Sequence, residues 1–83
     1  MSRKLIKKKV LKQVVNDQPV EFYAKDISED ERTKRAHPNL VGHRSYHSFV
    51  GGALSDHRGY LKIKEVQQKT RRGSLWRKVE IGI

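Results

Sequence analysis

Cysteine is absent from the 83-residue chain. Disulfide bonds and thiolate metal ligands are therefore excluded. Long apolar runs are absent as well, because no stretch approaches the ~20 residues that a membrane-spanning helix needs. The basic start is not followed by an apolar segment, so neither a secretory signal nor a membrane partner is expected. The expected location is the cytoplasm, with the nucleoid or the nucleus as alternatives.

Acidic residues are scarce relative to basic ones. Nine aspartates and glutamates stand against 19 lysines and arginines, which gives a formal net charge of +10. The imbalance is uneven: residues 1–15 carry six cations and no acid, whereas residues 16–31 carry six acids and one lysine. A compact domain with this excess attracts polyanions, because binding releases their counter-ions. The composition favours a nucleic acid or another acidic surface as partner.

Hydrophobic residues make up 35% of the chain, a low share for a globular protein but too high for a disordered tail. A chain of this length has room for one core only. We therefore expect residues 1–83 to form a single small basic domain in which residues 1–4 are flexible.

The first quarter of the chain permits two interpretations. Residues 4–15 fit a helical stripe, but their β-branched content also suits a strand. The turn-rich segment 16–19 is followed by clean alternation of apolar and polar residues, which favours strands. The prediction is a β-hairpin of residues 5–15 with 20–27, and a helix at the start is the alternative.

A short helix is predicted around residues 28–37. Ser28 and Glu31 have the spacing of a capping box, and Pro38 disfavours helical geometry in the residue before it. The acids of this segment would then face the positive end of the helix dipole. Residues 39–59 show no clear period, and the glycine pair Gly51-Gly52 is expected to break any element there.

The last third of the chain predicts a second hairpin. Residues 60–68 and 75–83 alternate as strands and are joined by residues 70–74, with a bulge expected near Lys64-Glu65. The predicted fold class is therefore α+β: two β-hairpins, forming an antiparallel sheet or a partial barrel, and one short helix.

One face of the second hairpin combines cations with aromatic rings. If its aliphatic residues face the core, the residues expected to face solvent are Tyr60, Lys62, Lys64, Trp76 and Lys78. Arg71 and Arg72 would stand at the hairpin tip, and Lys7, Lys8 and Lys9 form a second basic segment. Cations that follow a phosphate backbone, interleaved with rings on which bases stack, suit flexible or single-stranded nucleic acid.

A plainer interpretation exists for the same residues. Outward charges on strands improve solubility and protect sheet edges, and the N-terminal lysines would protect an edge strand in the same way. Trp76 would then be half buried under a loop.

The histidines offer a third possibility. His43 and His47 would share one face of a helix, but too few further ligands are available to predict a metal site. Together with His57 and Arg44 or Arg58 they contain the acid, base and cation types of a metal-independent ribonuclease. We predict no catalytic residue, metal or cofactor.

The function predicted from the sequence is a non-enzymatic nucleic-acid-binding protein, for RNA or DNA, of the accessory or regulatory kind found in phages and mobile elements. One alternative is a small inhibitor that docks on the acidic surface of a nucleic-acid-processing complex. The other is the histidine ribonuclease.

Overall fold

The structure is a computed structural model that describes residues 6–79. It contains short helices and an antiparallel sheet, which confirms the predicted α+β class. In chain order the elements are α1 (Lys8–Asn16), β1 (Glu21–Tyr23), α2 (Ala24–Ser28), α3 (Glu31–Ala36), α4 (Pro38–Val41), α5 (Tyr46–Asp56), α6 (Arg58–Leu61), β2 (Ile63–Thr70) and β3 (Gly73–Lys78). None of the helices within residues 6–79 is both long and apolar enough to cross a membrane.

The three strands form a sheet in the order β1-β3-β2. Phe22 of β1 lies directly opposite Trp76 of β3, and both side chains are buried. Paired residues in an antiparallel sheet point to the same face, so this face carries the contact with the helices. The core continues into the helices through residues that include Leu11, Val14, Ile27, Val50 and Leu54.

The C-terminal hairpin is present, and both strands extend further into the expected turn 70–74 than predicted. β2 begins at Ile63 and not at Tyr60, which belongs to α6. The two strands are joined at Arg71-Arg72. The pairing register shifts between Glu65 and Gln67, close to the expected bulge. Residues 80–83, the end of the second predicted strand, lie outside the described residues.

The predicted N-terminal hairpin is wrong, and the helical alternative is what the structure contains. α1 buries Leu11, Val14 and Val15, which share one face at helical spacing. Burial of this stripe against the rest of the core outweighs the modest helix propensity of its valines. β1 pairs with β3 instead of with residues 5–15.

The predicted capping box at Ser28 is also wrong, because Ser28 ends α2 instead of starting a helix. Its hydroxyl donates to the carbonyl oxygen of Lys25 (3.1 Å) and is occupied there. Asp30 is the N-cap of α3, where its carboxylate accepts a hydrogen bond from the backbone N–H of Arg32 at 2.8 Å. α3 ends before Pro38, as expected.

The glycine pair does not break the chain, since α5 runs through Gly51-Gly52. Each helical glycine costs about 1 kcal/mol relative to alanine. Tyr46, Val50 and Leu54 offset this cost by lying buried on one side of the helix. The Tyr46 hydroxyl donates to the carbonyl oxygen of Ser28 (2.6 Å) and ties α5 to α2, and burial raises its pKa.

Candidate nucleic-acid interface

Trp76 does not face solvent, contrary to the sequence prediction. Its side chain is 1% exposed and packs on the inner face of the sheet opposite Phe22. A buried indole removes roughly 150–250 Å² from water, worth about 4–6 kcal/mol. This gain exceeds the ~1–3 kcal/mol cost of the indole N–H, which has no hydrogen-bond partner within residues 6–79. Trp76 is therefore unavailable for base stacking.

Two of the cations predicted for this hairpin, Lys78 and Arg72, are engaged by the protein itself. The ammonium of Lys78 donates to the carbonyl oxygens of Asn16 (3.1 Å) and Gln18 (2.5 Å). Arg72 donates to the Asp26 carboxylate at 2.7 Å. Because Trp76 and Lys78 are turned inward, the expected basic and aromatic strand face is not formed.

Lys64 and Arg71 remain exposed on the hairpin. Lys64 lies opposite Arg77, which forms an ion pair with Glu21 on the same outer sheet face. Arg71 stands at the tip. The two cations belong to different parts of the hairpin and are not interleaved with an exposed ring.

The structure instead brings Tyr60 together with the N-terminal lysines. Tyr60 lies in α6 and is 40% exposed. The ammonium groups of Lys8 and Lys12 lie 5.0 Å and 5.1 Å from its ring centroid, within cation–π distance. The Lys12 ammonium also lies 3.4 Å from the backbone carbonyl oxygen of Tyr60.

We call this surface the lysine–tyrosine patch. It consists of Lys8, Lys12 and Tyr60, which are in contact, together with their neighbours in the sequence Lys7, Lys9 and Lys62. The strand interpretation of residues 5–15 concealed it, since on a strand Lys8 and Lys12 would lie roughly 13 Å apart, whereas on a helix they are one turn apart and close enough to meet one ring. Their contact with Tyr60, 48 residues beyond Lys12, has no signal in the sequence.

The charges at the start of α1 oppose the helix dipole. Lys7 is the N-cap, Lys8 and Lys9 follow, and the first turn contains no acid. Each cation at this positive end costs typically 0.3–1 kcal/mol when it is exposed. The placement is unfavourable for the isolated protein, so it calls for an explanation outside the folding of α1.

His37 holds the first turn of α1 in place. Its Nε2 accepts a hydrogen bond from the backbone N–H of Lys7 (2.9 Å), and its Nδ1 lies 2.7 Å from the carbonyl oxygen of Thr33. A carbonyl oxygen only accepts, so Nδ1 carries the proton and donates. The buried ring therefore fixes the lysine-bearing end of α1 to α3.

Most carboxylates are already neutralised by neighbouring cations. Within the described part of the chain, Asp56 and Glu65 are the acids without an ion pair. The other carboxylates engage Lys25, Arg32, Arg35, Arg72 and Arg77. The lysines of the patch have no carboxylate partner in this range.

The histidines are not assembled into a common site. His47 lies at the start of α5 and His57 directly follows its end, so a rise of 1.5 Å per residue separates them by roughly 15 Å. His43 precedes α5, and its ring packs against Phe49 with centroids 5.0 Å apart. No group of three potential metal-binding side chains occurs between residues 6 and 79.

Comparison with known proteins identifies no relative. Neither a protein-family model, nor a curated protein, nor a solved structure matches this chain. Any function of this chain is therefore inferred from the chemistry of its surface.

Proposed function

We propose that the protein is a non-enzymatic nucleic-acid-binding protein and that the lysine–tyrosine patch contacts the phosphate backbone. The observation that carries the proposal is the group of lysines at the start of α1, which have no carboxylate partner among residues 6–79 and oppose the helix dipole. A polyanion would remove this repulsion and release its own counter-ions. The positions that weaken the isolated helix would then strengthen the complex.

Tyr60 supports the same interpretation by placing two cations beside a ring. An exposed cation–π contact contributes about 0.5–1 kcal/mol, so the ring orients Lys8 and Lys12 without holding them tightly. When the ammonium groups move to phosphates, the half-exposed ring becomes available to a base. Base–aromatic stacking is worth ~1–3 kcal/mol per base, which favours single-stranded or flexible nucleic acid.

The test is a titration of labelled RNA and DNA, single-stranded and duplex, at several salt concentrations. If about five lysines meet phosphates, affinity should fall by roughly two to three orders of magnitude between ~50 and ~200 mM salt. Lys8→Gln combined with Lys12→Gln should reduce the salt slope by about two.

The matched control removes the same charge elsewhere. Lys34→Gln combined with Lys64→Gln changes two exposed lysines outside the patch, and it should leave the slope close to that of the wild type. A flat salt response, or equal losses in both double variants, would refute the proposal. The proposal would also be refuted if the chain bound no nucleic acid but captured a partner protein, and if that capture persisted after nuclease treatment. This result would favour the docking inhibitor.

A further inference from the structure

A small cationic cleft lies where the hairpin tip meets α2 and the start of α5. Its volume is about 230 Å³, and it is lined by Ala24, Lys25, His47, Arg71, Arg72 and Gly73. Sites for drug-sized ligands usually span ~300–1,000 Å³. The cleft is therefore suited to a smaller ligand, and its charged lining selects an anion.

The walls of the cleft are fixed by backbone contacts. The backbone N–H of Lys25 donates to the carbonyl oxygen of Arg72 at 3.0 Å, which attaches the hairpin tip to α2. Gly73 has a positive φ of 88°, and a Cβ there would lie 3.1 Å from the Ala24 Cβ. Only glycine combines this conformation with such a close approach, so the tip is held in a defined position.

Arg72 is oriented for binding but keeps donors available. One of its terminal nitrogens donates to Asp26, and its guanidinium carbon lies 5.9 Å from the Tyr23 ring centroid. Asp26 is itself fixed by the backbone N–H of Tyr23 (3.0 Å). A guanidinium has five N–H donors, so the contact with Asp26 leaves others for a second anion.

The remaining charges favour the same type of ligand. Arg71 forms no ion pair with any residue between 6 and 79. The Lys25 ammonium is 3.9 Å from Glu29, and both side chains are more than 40% exposed. An exposed pair at this distance is weak, so Lys25 can turn to an anion in the cleft at little cost.

His47 adds a ring nitrogen to the lining of the cleft. Its Nδ1 lies 2.6 Å from the buried Ser28 hydroxyl, which donates its hydrogen to the carbonyl oxygen of Lys25. In this arrangement Nδ1–H donates to Ser28, and Nε2 is the ring nitrogen left for a ligand. A singly protonated phosphate group can donate its P–O–H hydrogen to this nitrogen.

We propose that this cleft binds a phosphate monoester group, held by Arg71, Arg72 and Lys25 with His47. A small phosphorylated compound and the terminal phosphate of a nucleic-acid strand present the same group. The cleft shares no residue with the lysine–tyrosine patch, so the proposal stands independently of the function proposed above.

The experiment follows backbone amide shifts of the full chain by NMR during titration with inorganic phosphate at constant ionic strength. We expect saturable shifts at Lys25, His47 and Gly73. Arg71→Gln should weaken binding by roughly tenfold or more, since a charge-assisted contact is lost. Arg77→Gln is the matched control, because it removes the same charge from the same hairpin away from the cleft, and it should bind as the wild type does.

Two oligonucleotides of the same sequence, one with a 5′-phosphate and one with a 5′-hydroxyl, distinguish the sources of the group. They are titrated into the Lys8→Gln/Lys12→Gln protein, which reduces backbone binding by the patch. Tighter binding of the phosphorylated strand identifies a strand end, whereas equal binding together with phosphate binding identifies a small compound. The absence of saturable shifts up to ~10 mM phosphate, tenfold above a Kd of ~1 mM, overturns the proposal. Equal weakening in both arginine variants also overturns it.

Discussion

Asp30 joins a helix terminus to a surface ion pair. Its carboxylate caps α3 and accepts side-chain hydrogen bonds from Arg32, which also contacts Asp17 at 2.5 Å. The hydrogen bonds from Arg32 lower the pKa of Asp30 below its ordinary value of 3.8, although partial burial opposes them. Asp30 therefore stabilises the folded state most at a pH above that ordinary value.

Asp30→Asn keeps a capping oxygen but removes the charge. A group with a lowered pKa in the folded state contributes stability that is lost as the pH falls through that pKa. We expect the variant to be less stable by about 0.5–1 kcal/mol at neutral pH. Urea unfolding at a series of pH values should show the two proteins converging below pH ~3.8.

Asp56→Asn is the control for this prediction, because Asp56 forms no ion pair within residues 6–79. It should show no corresponding convergence in acid. A difference between the wild type and Asp30→Asn that is constant from neutral to acidic pH would contradict the assigned role of Asp30.

Trp76 shows why the expected site was only partly predictable. β3 has apolar residues in both phases of its alternation, since Leu75 and Trp76 are neighbours that point to opposite faces. In the sequence, the aliphatic residues indicated that the side of β3 with Leu75 faces the core. In the structure, the side with Trp76 faces the core, because the indole buries a larger apolar area. Tyr60, Lys8 and Lys9 stay within the candidate interface, although Tyr60 is placed there by a helix and not by a strand.

At the scale of elements, α1 carries a conflict between helix stability and charge. Its buried stripe and the hydrogen bond from Lys7 to His37 hold it, while the lysines of its first turn oppose the dipole. The stripe alone could not identify the helix, because valines at these spacings also suit a strand. The burial that decided the outcome comes from segments distant in the sequence.

Lys9→Glu tests this conflict, because it should change stability and binding in opposite directions. Replacing a cation by an anion at the start of α1 should stabilise the protein by about 0.5–2 kcal/mol at low salt. The same change should weaken nucleic-acid binding by roughly tenfold, since a phosphate contact becomes a repulsion. Chemical denaturation and binding titrations of the same preparations measure both effects.

Lys9→Gln should show about half of each effect, because it removes a charge without reversing it. A glutamate variant that is less stable than the wild type would disprove the dipole argument. Unchanged binding in both variants would exclude Lys9 from the interface.

At the scale of the whole molecule, the sequence indicated the α+β class and the C-terminal hairpin, and it indicated an anionic partner through net charge. Net charge does not specify which cations remain without partners, since this depends on which elements meet. Arg72 forms an ion pair with Asp26, and Arg77 forms one with Glu21, although the partners are distant in sequence. These two arginines of the hairpin therefore do not belong to the cations without an ion-pair partner. The lysines of α1 remain without a carboxylate partner among residues 6–79, because the acidic residues of this range lie elsewhere in the fold.

The net charge of +10 also predicts how salt affects folding. Like charges repel each other in the compact state, and added salt screens this repulsion. Salt weakens the ion pairs as well, but they are exposed and each contributes ~0–1 kcal/mol. We expect the melting temperature to rise by several degrees between ~20 and ~300 mM sodium chloride, since ~1 kcal/mol corresponds to about 4–8 °C for a domain of this size.

Lys8→Gln/Lys12→Gln should have a higher melting temperature than the wild type at low salt and a smaller rise as salt is added. A melting temperature that falls as chloride is added would mean that the ion pairs of Asp26, Asp30 and Glu21 outweigh the repulsion among the unpaired cations.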